Sequence, residues 1–131
     1  MTNEDVLRAY VDAFNAADWE RMALLFTEDA SIRGVLGWGA LDVALPIWRE
    51  LHDNMSMRLR VDEIIADGDK AAALLTETGS FKGPFRGLPG EKPTGRPYEI
   101  VAIEWFEFKD GRIMRRWAAR DSGAITRQVL G

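Results

Sequence analysis

YEIVAIEWFEFKDGRIMRRWAAR, residues 98–120, reads as two β-strands and the turn between them, and its alternation decides the fold. Tyr98 to Phe108 and Arg112 to Arg120 are joined through Lys109-Asp110-Gly111, where Gly111 can supply the left-handed conformation of a bulged three-residue hairpin. In that register Tyr98, Ile100, Ala102, Glu104, Phe106, Met114, Arg116, Ala118 and Arg120 share one face, with Glu104 directly opposite Arg116 and Ala102 opposite Ala118. The other face carries Val101, Ile103, Trp105, Ile113 and Trp117. Two apolar faces require two covers: the interior of the domain for the first, and a partner subunit for the second.

Upstream, the glycines and prolines of Lys82 to Pro97 exclude a regular element, so this is a long connecting loop, expected to form a mobile edge of a pocket entrance. Before it the apolar period is again two. Met57, Leu59 and Val61 alternate with charged residues, Asp67-Gly68-Asp69 supplies a turn, and Ala71 to Phe81 returns as the partner strand. Further upstream the period becomes helical. Thr2 with Asp5 makes a capping box before Val6, Leu7, Tyr10, Val11 and Phe14, predicting a helix over 3–17. Asp18 caps a short second helix with Met22, Leu25 and Phe26 on its buried side, and residues 30–34 form a short strand. The segment Gly34 to Gly39 is a turn carrying Trp38, and Leu41 to Asp53 is a helix that Pro46 either opens or kinks. Helices first and long antiparallel strands after them indicate one α+β domain over residues 1–131.

Composition narrows the function. A formal charge of −4 gives no positive field for a phosphate backbone, and alternation splits the arginines of the last strand between faces, so nucleic acid is not an expected partner. With no cysteine, thiolate nucleophiles, thiolate metal sites and disulfides are excluded. The start Met1-Thr2-Asn3-Glu4-Asp5 has no secretory pattern, and no run approaches about 18 apolar residues, so a cytoplasmic protein without membrane contact is expected. No dinucleotide, phosphate-loop or nucleophilic-triad spacing occurs.

Several pieces then agree in order and spacing: Tyr10-Val11-Asp12-Ala13-Phe14-Asn15 with Trp19, Gly83 to Pro89, Thr94-Gly95-Arg96, Phe106 to Ile113, Trp117, Asp121 and the ending Gln128-Val129-Leu130-Gly131. Together they resemble the SnoaL-like polyketide cyclase branch of the nuclear-transport-factor-two-like superfamily over nearly the whole chain. The resemblance implies a cone-shaped α+β barrel, a curved mixed or antiparallel sheet wrapped around the N-terminal helices and enclosing one pocket. It also implies a homodimer and no metal or organic cofactor. It does not fix the reaction, because cyclases, isomerases, dehydratases, epoxide hydrolases and non-catalytic binders share the fold. The similar cyclases use an aspartate on the last strand and a histidine on the strand before it. Here those positions fall at Ala118 and Glu104, and a further histidine position falls at Phe81.

The expected function is therefore a cofactor-independent acid–base enzyme acting on a hydrophobic, oxygenated small molecule by cyclisation, isomerisation, dehydration or epoxide opening. Glu104 is the expected base or acid, Arg116 orients it or stabilises negative charge, and Tyr10 hydrogen-bonds the reacting oxygen. Glu104 and Arg116 have a second reading as a cross-strand ion pair, Tyr10 as a core side chain, and Asp121, the remaining acid of this strand, as a cap at its end. His52, near the end of its helix, reads as a surface or capping residue. The expected pocket walls are Phe14, Trp38, Trp48, Phe81, Phe85, Ile100, Ala102, Phe106, Met114 and Ala118. The alternative is a small-molecule binder without catalysis, and a third reading is a structural protein whose sheet mediates dimerisation. The apolar stripe from Val101 to Trp117 predicts a homodimer in sedimentation at low micromolar concentration, whereas a clean monomer would mean that the chain covers the stripe itself.

Overall fold

Thr2 opens the first helix by a reciprocal cap: its hydroxyl accepts from Asp5 N–H at 3.1 Å, and the Asp5 carboxylate accepts from Thr2 N–H at 2.9 Å. In this computed structural model, which describes residues 1–34 and 36–131, that helix is α1 (Asn3–Asn15). Asp18 caps α2 (Trp19–Leu24). There follow β1 (Phe26–Gly34), β2 (Gly37–Gly39), α3 (Leu41–Asn54), β3 (Arg58–Asp67), β4 (Lys70–Ser80), β5 (Pro97–Lys109), β6 (Arg112–Arg120) and α4 (Ser122–Leu130). Val35, in the turn read from Gly34 to Gly39, lies outside the described residues.

The six strands form one mixed sheet in the order β2-β1-β6-β5-β4-β3, with β1 parallel to β6 and the other neighbours antiparallel. The sheet is not closed into a barrel, since β2 and β3 end it without pairing to each other, so the expected barrel is corrected to an open sheet. The apolar stripe of α1, Val6, Leu7, Tyr10, Val11 and Phe14, is buried against the sheet's inner face, and α3 closes the β1 end. No helix among the described residues is long and apolar enough to cross a membrane.

Several boundaries differ from expectation. Phe26 begins a strand instead of completing α2, because pairing with Ile113 of β6 outcompetes one more helical turn. Helix α3 runs through Pro46 in its second turn, which removes the amide that would bond the Asp42 carbonyl. The turn expected at Gly34 to Gly39 contains the short strand β2. Helix α4 replaces an unassigned terminus: Asp121 accepts from Ala124 N–H at 2.9 Å, and Ile125 and Val129 bury on one side.

The largest correction is the β5–β6 register. The turn has two residues, Asp110 and Gly111, with φ of 51° and 78°, and Lys109 pairs with Arg112. A bulge then follows, since Phe108 pairs with Ile113 but Glu107 with Arg115. Met114 is the extra residue. The two shifts of one residue restore the expected parity beyond the bulge but move each partner by two. Glu104 thus lies opposite Ala118 instead of Arg116, and Ala102 opposite Arg120. Before the bulge the faces are exchanged, so Ile113 is buried in the core opposite Phe108 and does not belong to the outer stripe. The stripe that remains, Val101, Ile103, Trp105 and Trp117, is exposed on the single chain, from 40% at Trp105 to 61% at Val101.

Gly79 pairs with Tyr98, and a Cβ there would press into the Met55 carbonyl oxygen and the Tyr98 ring. Gly79→Ala should therefore cost about 2–3 kcal/mol in urea unfolding. A loss under about 0.5 kcal/mol would show that β4 and the end of α3 can part without penalty.

Candidate active site

Alternation along β5 turns Tyr98, Ile100, Ala102, Glu104, Phe106 and Phe108 inward, and on β6 beyond the bulge Arg116, Ala118 and Arg120 face the same way. One carboxylate and two guanidiniums are thereby taken out of water. Glu104 is 1% exposed and Arg116 3%. Although not directly opposite, they meet diagonally: Arg116 Nε donates to Glu104 Oε1 at 2.7 Å. Tyr10 of α1 donates its hydroxyl to the same Oε1 at 2.9 Å. The Arg116 guanidinium also lies 5.9 Å from the Tyr10 ring centroid and 5.5 Å from that of Trp48, within reach of both π faces. Edge-on contacts from Phe106 at 5.3 Å and Trp48 at 5.9 Å hold the Tyr10 ring.

The electrostatics follow from this enclosure. Burial, and then the Glu104 carboxylate, push the Tyr10 hydroxyl far above the ordinary tyrosine range, so Tyr10 keeps its proton. Burial works against the Arg116 charge, but Glu104 and Tyr10 outweigh it and raise its pKa. Arg116 is a permanent cation.

A second set stands further along the same face. Arg120 Nε donates to Glu77 Oε1 at 2.7 Å and Arg120 Nη2 to Glu77 Oε2 at 2.5 Å, while Tyr98 gives its hydroxyl to Glu77 Oε2 at 2.6 Å. Glu77, on β4, is fully buried. Sequence reasoning missed it, although a signal was present: Ala71, Ala73, Leu75 and Glu77 share one parity, so a carboxylate occupies an inward position of an apolar strand.

Tyr10, Arg116 and Arg120 border a cleft of about 640 Å³, including its open mouth, between α1, α3, β1 and β6. Tyr10, Phe14, Trp48, Phe85, Arg116 and Ala118 line it, as do Ile32, Val43, Ala44, Ile47, Leu51, Met57 and Arg120, which the expected wall did not include. Glu104 is behind this wall, next to Tyr10 and Arg116.

The remaining expected wall residues are elsewhere. Trp38 points to the outer face, where its ring packs on Trp117 at 5.6 Å and under Arg115 at 4.8 Å, because β2 alternates and leaves Gly37 and Gly39 on the cleft. Phe81 is sealed in the core, its backbone bonded to Gly95 and Arg96 across the loop. Ile100, Ala102 and Phe106 face inward but are covered before the cleft begins, and Met114 is used up in the bulge. Asp121 caps α4 and is exposed, away from the cleft. His52 packs its ring on Phe14 and Trp19, with Nε2 3.3 Å from the Asn15 carbonyl.

The loop from 81 to 96 is tied down at its two ends. Asn54 O accepts from Lys82 and Gly83 N–H, Asn54 Nδ2 donates to Pro84 O at 2.6 Å, and Glu50 accepts from the Arg86 backbone and guanidinium. Such ties oppose the loose edge expected from its glycines, while Phe85 still forms part of the mouth. Among the described residues no cluster of three or more His, Cys, Asp or Glu side chains is placed to hold a metal ion.

An open mixed sheet over helices, with a largely apolar cleft against the last strand, defines an α+β fold of the pocket-bearing kind. The chain belongs to the SnoaL-like polyketide cyclase family, whose model matches residues 4–129. Solved structures agree. A proposed polyketide cyclase from Pseudomonas putida is 27% identical with a TM-score of 0.83, covering 98% of each chain. IdmH, a proposed polyketide cyclase from Streptomyces antibioticus, is 25% identical with a TM-score of 0.82, again covering 98% of each chain. A third, from Xanthomonas campestris pv. campestris, is 22% identical with a TM-score of 0.86 over 96% of this chain and 95% of that one, and bears on the fold alone. No curated protein matches the chain.

Removing the carboxylate charge leaves Arg116 without its countercharge in the interior. Glu104→Gln should lose about 3–5 kcal/mol of stability in urea unfolding, and adding Arg116→Met should recover most of that loss. Equal losses in the single and double variants would mean that the two charges are not coupled.

Proposed function

We propose that the chain is an enzyme that moves a proton on a hydrophobic, oxygenated small molecule without an organic cofactor, in a cyclisation, isomerisation, dehydration or epoxide opening. The observation that carries this reading is that Tyr10 and Arg116, two residues that line the cleft, both bond the buried Glu104 carboxylate behind it.

Glu104 is screened from the cleft, so it works through Tyr10. As a substrate C–H or O–H proton passes to the Tyr10 oxygen, the Tyr10 proton passes to Glu104 Oε1. The electron pair left behind moves onto a substrate oxygen, where Arg116 meets the developing charge. Reversal of the same two transfers returns a proton to the product. The raised Tyr10 pKa suits a hydroxyl that relays a proton in one step and never stands alone as a phenolate. Ala118, where similar cyclases carry an aspartate, leaves this role to the relay.

One observation favours a second reading: Glu104 Oε1 already has two partners, as in a carboxylate retained only to balance Arg116. In that case the protein binds its molecule without changing it. In either reading a second copy of the chain covers Val101, Ile103, Trp105 and Trp117.

Mass spectrometry of the co-purified ligand supplies the molecule to test. Tyr10→Phe keeps the ring contacts and removes the relay, so turnover should fall about 100-fold or more while the affinity changes little. Near wild-type turnover in folded Tyr10→Phe would sink the relay. A wild-type protein that returns the ligand unchanged would establish the binder.

A further inference from the structure

Nothing in the proton relay uses Arg120, yet it lines the cleft as Arg116 does. Glu77 takes its Nε and Nη2, and Tyr98 fixes Glu77 in turn. Nη1 has no partner among the described residues. Arg120 lines the cleft while its Nε and Nη2 are turned to Glu77. A buried ion pair is weak as a stabilising device, since desolvation offsets most of its attraction. Holding a guanidinium at a fixed angle is what the Glu77 fork and the Tyr98 hydroxyl accomplish.

Arg120 also stands at a junction. A second cleft of about 560 Å³, including its open mouth, lies between α4, the 81–96 loop and the end of α3, and it shares Leu36, Leu51, Phe85 and Arg120 with the first. Arg116 lines the first cleft and not the second. Four residues of strand separate the two arginines, roughly 13 Å of backbone. Each guanidinium has its own carboxylate, so the four charges sum to zero. A ligand carboxylate would add an unbalanced charge to a largely apolar space, whereas a carbonyl oxygen accepts an N–H and leaves the balance intact.

We propose that Arg120, positioned by Glu77 and Tyr98, is a second substrate anchor, so that the site takes an elongated apolar molecule with a neutral carbonyl oxygen towards each end. This rests on the reading of the cleft as a substrate site, but it concerns binding and not the relay.

Equilibrium dialysis with three biphenyls tests it. Wild-type protein should bind 4,4′-diacetylbiphenyl about 10-fold more tightly than 4-acetylbiphenyl, the usual worth of one hydrogen bond to a charged donor. It should bind biphenyl-4,4′-dicarboxylate more weakly than the diketone. The double variant Arg120→Met with Glu77→Gln, which leaves neither charge orphaned, should bind both ketones alike. Arg120→Lys, which keeps the countercharge but loses the fork, guards against a folding failure of the double variant and should lose most of the same advantage. Equal affinity of the two ketones for wild type, no binding of either, or an undiminished advantage in the variants would overturn the second anchor. Tighter binding of the dicarboxylate would overturn the neutral-oxygen assignment. Turnover lost in Tyr10→Phe would leave the relay standing in each of these cases.

Discussion

A carboxylate and a guanidinium taken fully out of water must find each other, and the meeting of Glu104 with Arg116 constrains much of this structure. Ion burial costs several kcal/mol per charge, which a single bond returns only when the remaining lone pairs and protons also have partners. Those partners come from distant parts of the chain: the Tyr10 hydroxyl from α1, the Trp48 ring from α3 and the Arg33 carbonyl from β1, 3.4 Å from Arg116 Nη1. Satisfying one ion pair thus fixes the rotation of α1, the seat of α3 and the parallel approach of β1 to β6.

The bulge at Met114 makes that meeting possible. A two-residue turn alone would place Arg116 on the outer face with Trp105, and one extra residue turns it inward again. The same residue divides the strand in use. Ile113, before the bulge, belongs to the core, while Arg116, Ala118 and Arg120, after it, belong to the cleft. A local irregularity of the backbone converts a packing surface into the wall of a cleft along one strand.

The charge pattern gives the site its character. Each inward arginine is matched by a buried glutamate, and each glutamate is also held by a tyrosine hydroxyl. The cleft therefore offers oriented N–H donors without net charge, an arrangement suited to polarising an oxygen in a low-dielectric space. Arg86 and Glu50 tie the neighbouring loop to α3, so the mouth is shaped by fixed contacts.

The sequence by itself determined most of the elements and, away from the β5–β6 turn, their faces. Period-two alternation in β3 to β6, the Thr2 and Asp18 caps, and the stripe of α1 are local signals, set by backbone geometry within a few residues. Family likeness was legible for the same reason, since its motifs sit in turns and termini. Glu104, Arg116 and Tyr10 could be named because charged or hydroxyl groups stood at inward positions. The structure alone decided who meets whom. Asp110-Gly111 suits either a two-residue turn or a three-residue bulged one, and the pairing along the whole of β5 and β6 shows which is used. Phe81, Ile100, Ala102 and Phe106 have the parity of a pocket wall, but the layers packed over them decide that they are core. Glu77 acquires its part through Arg120 and Tyr98, which approach it from other strands, and no short-range pattern records a contact across 43 residues.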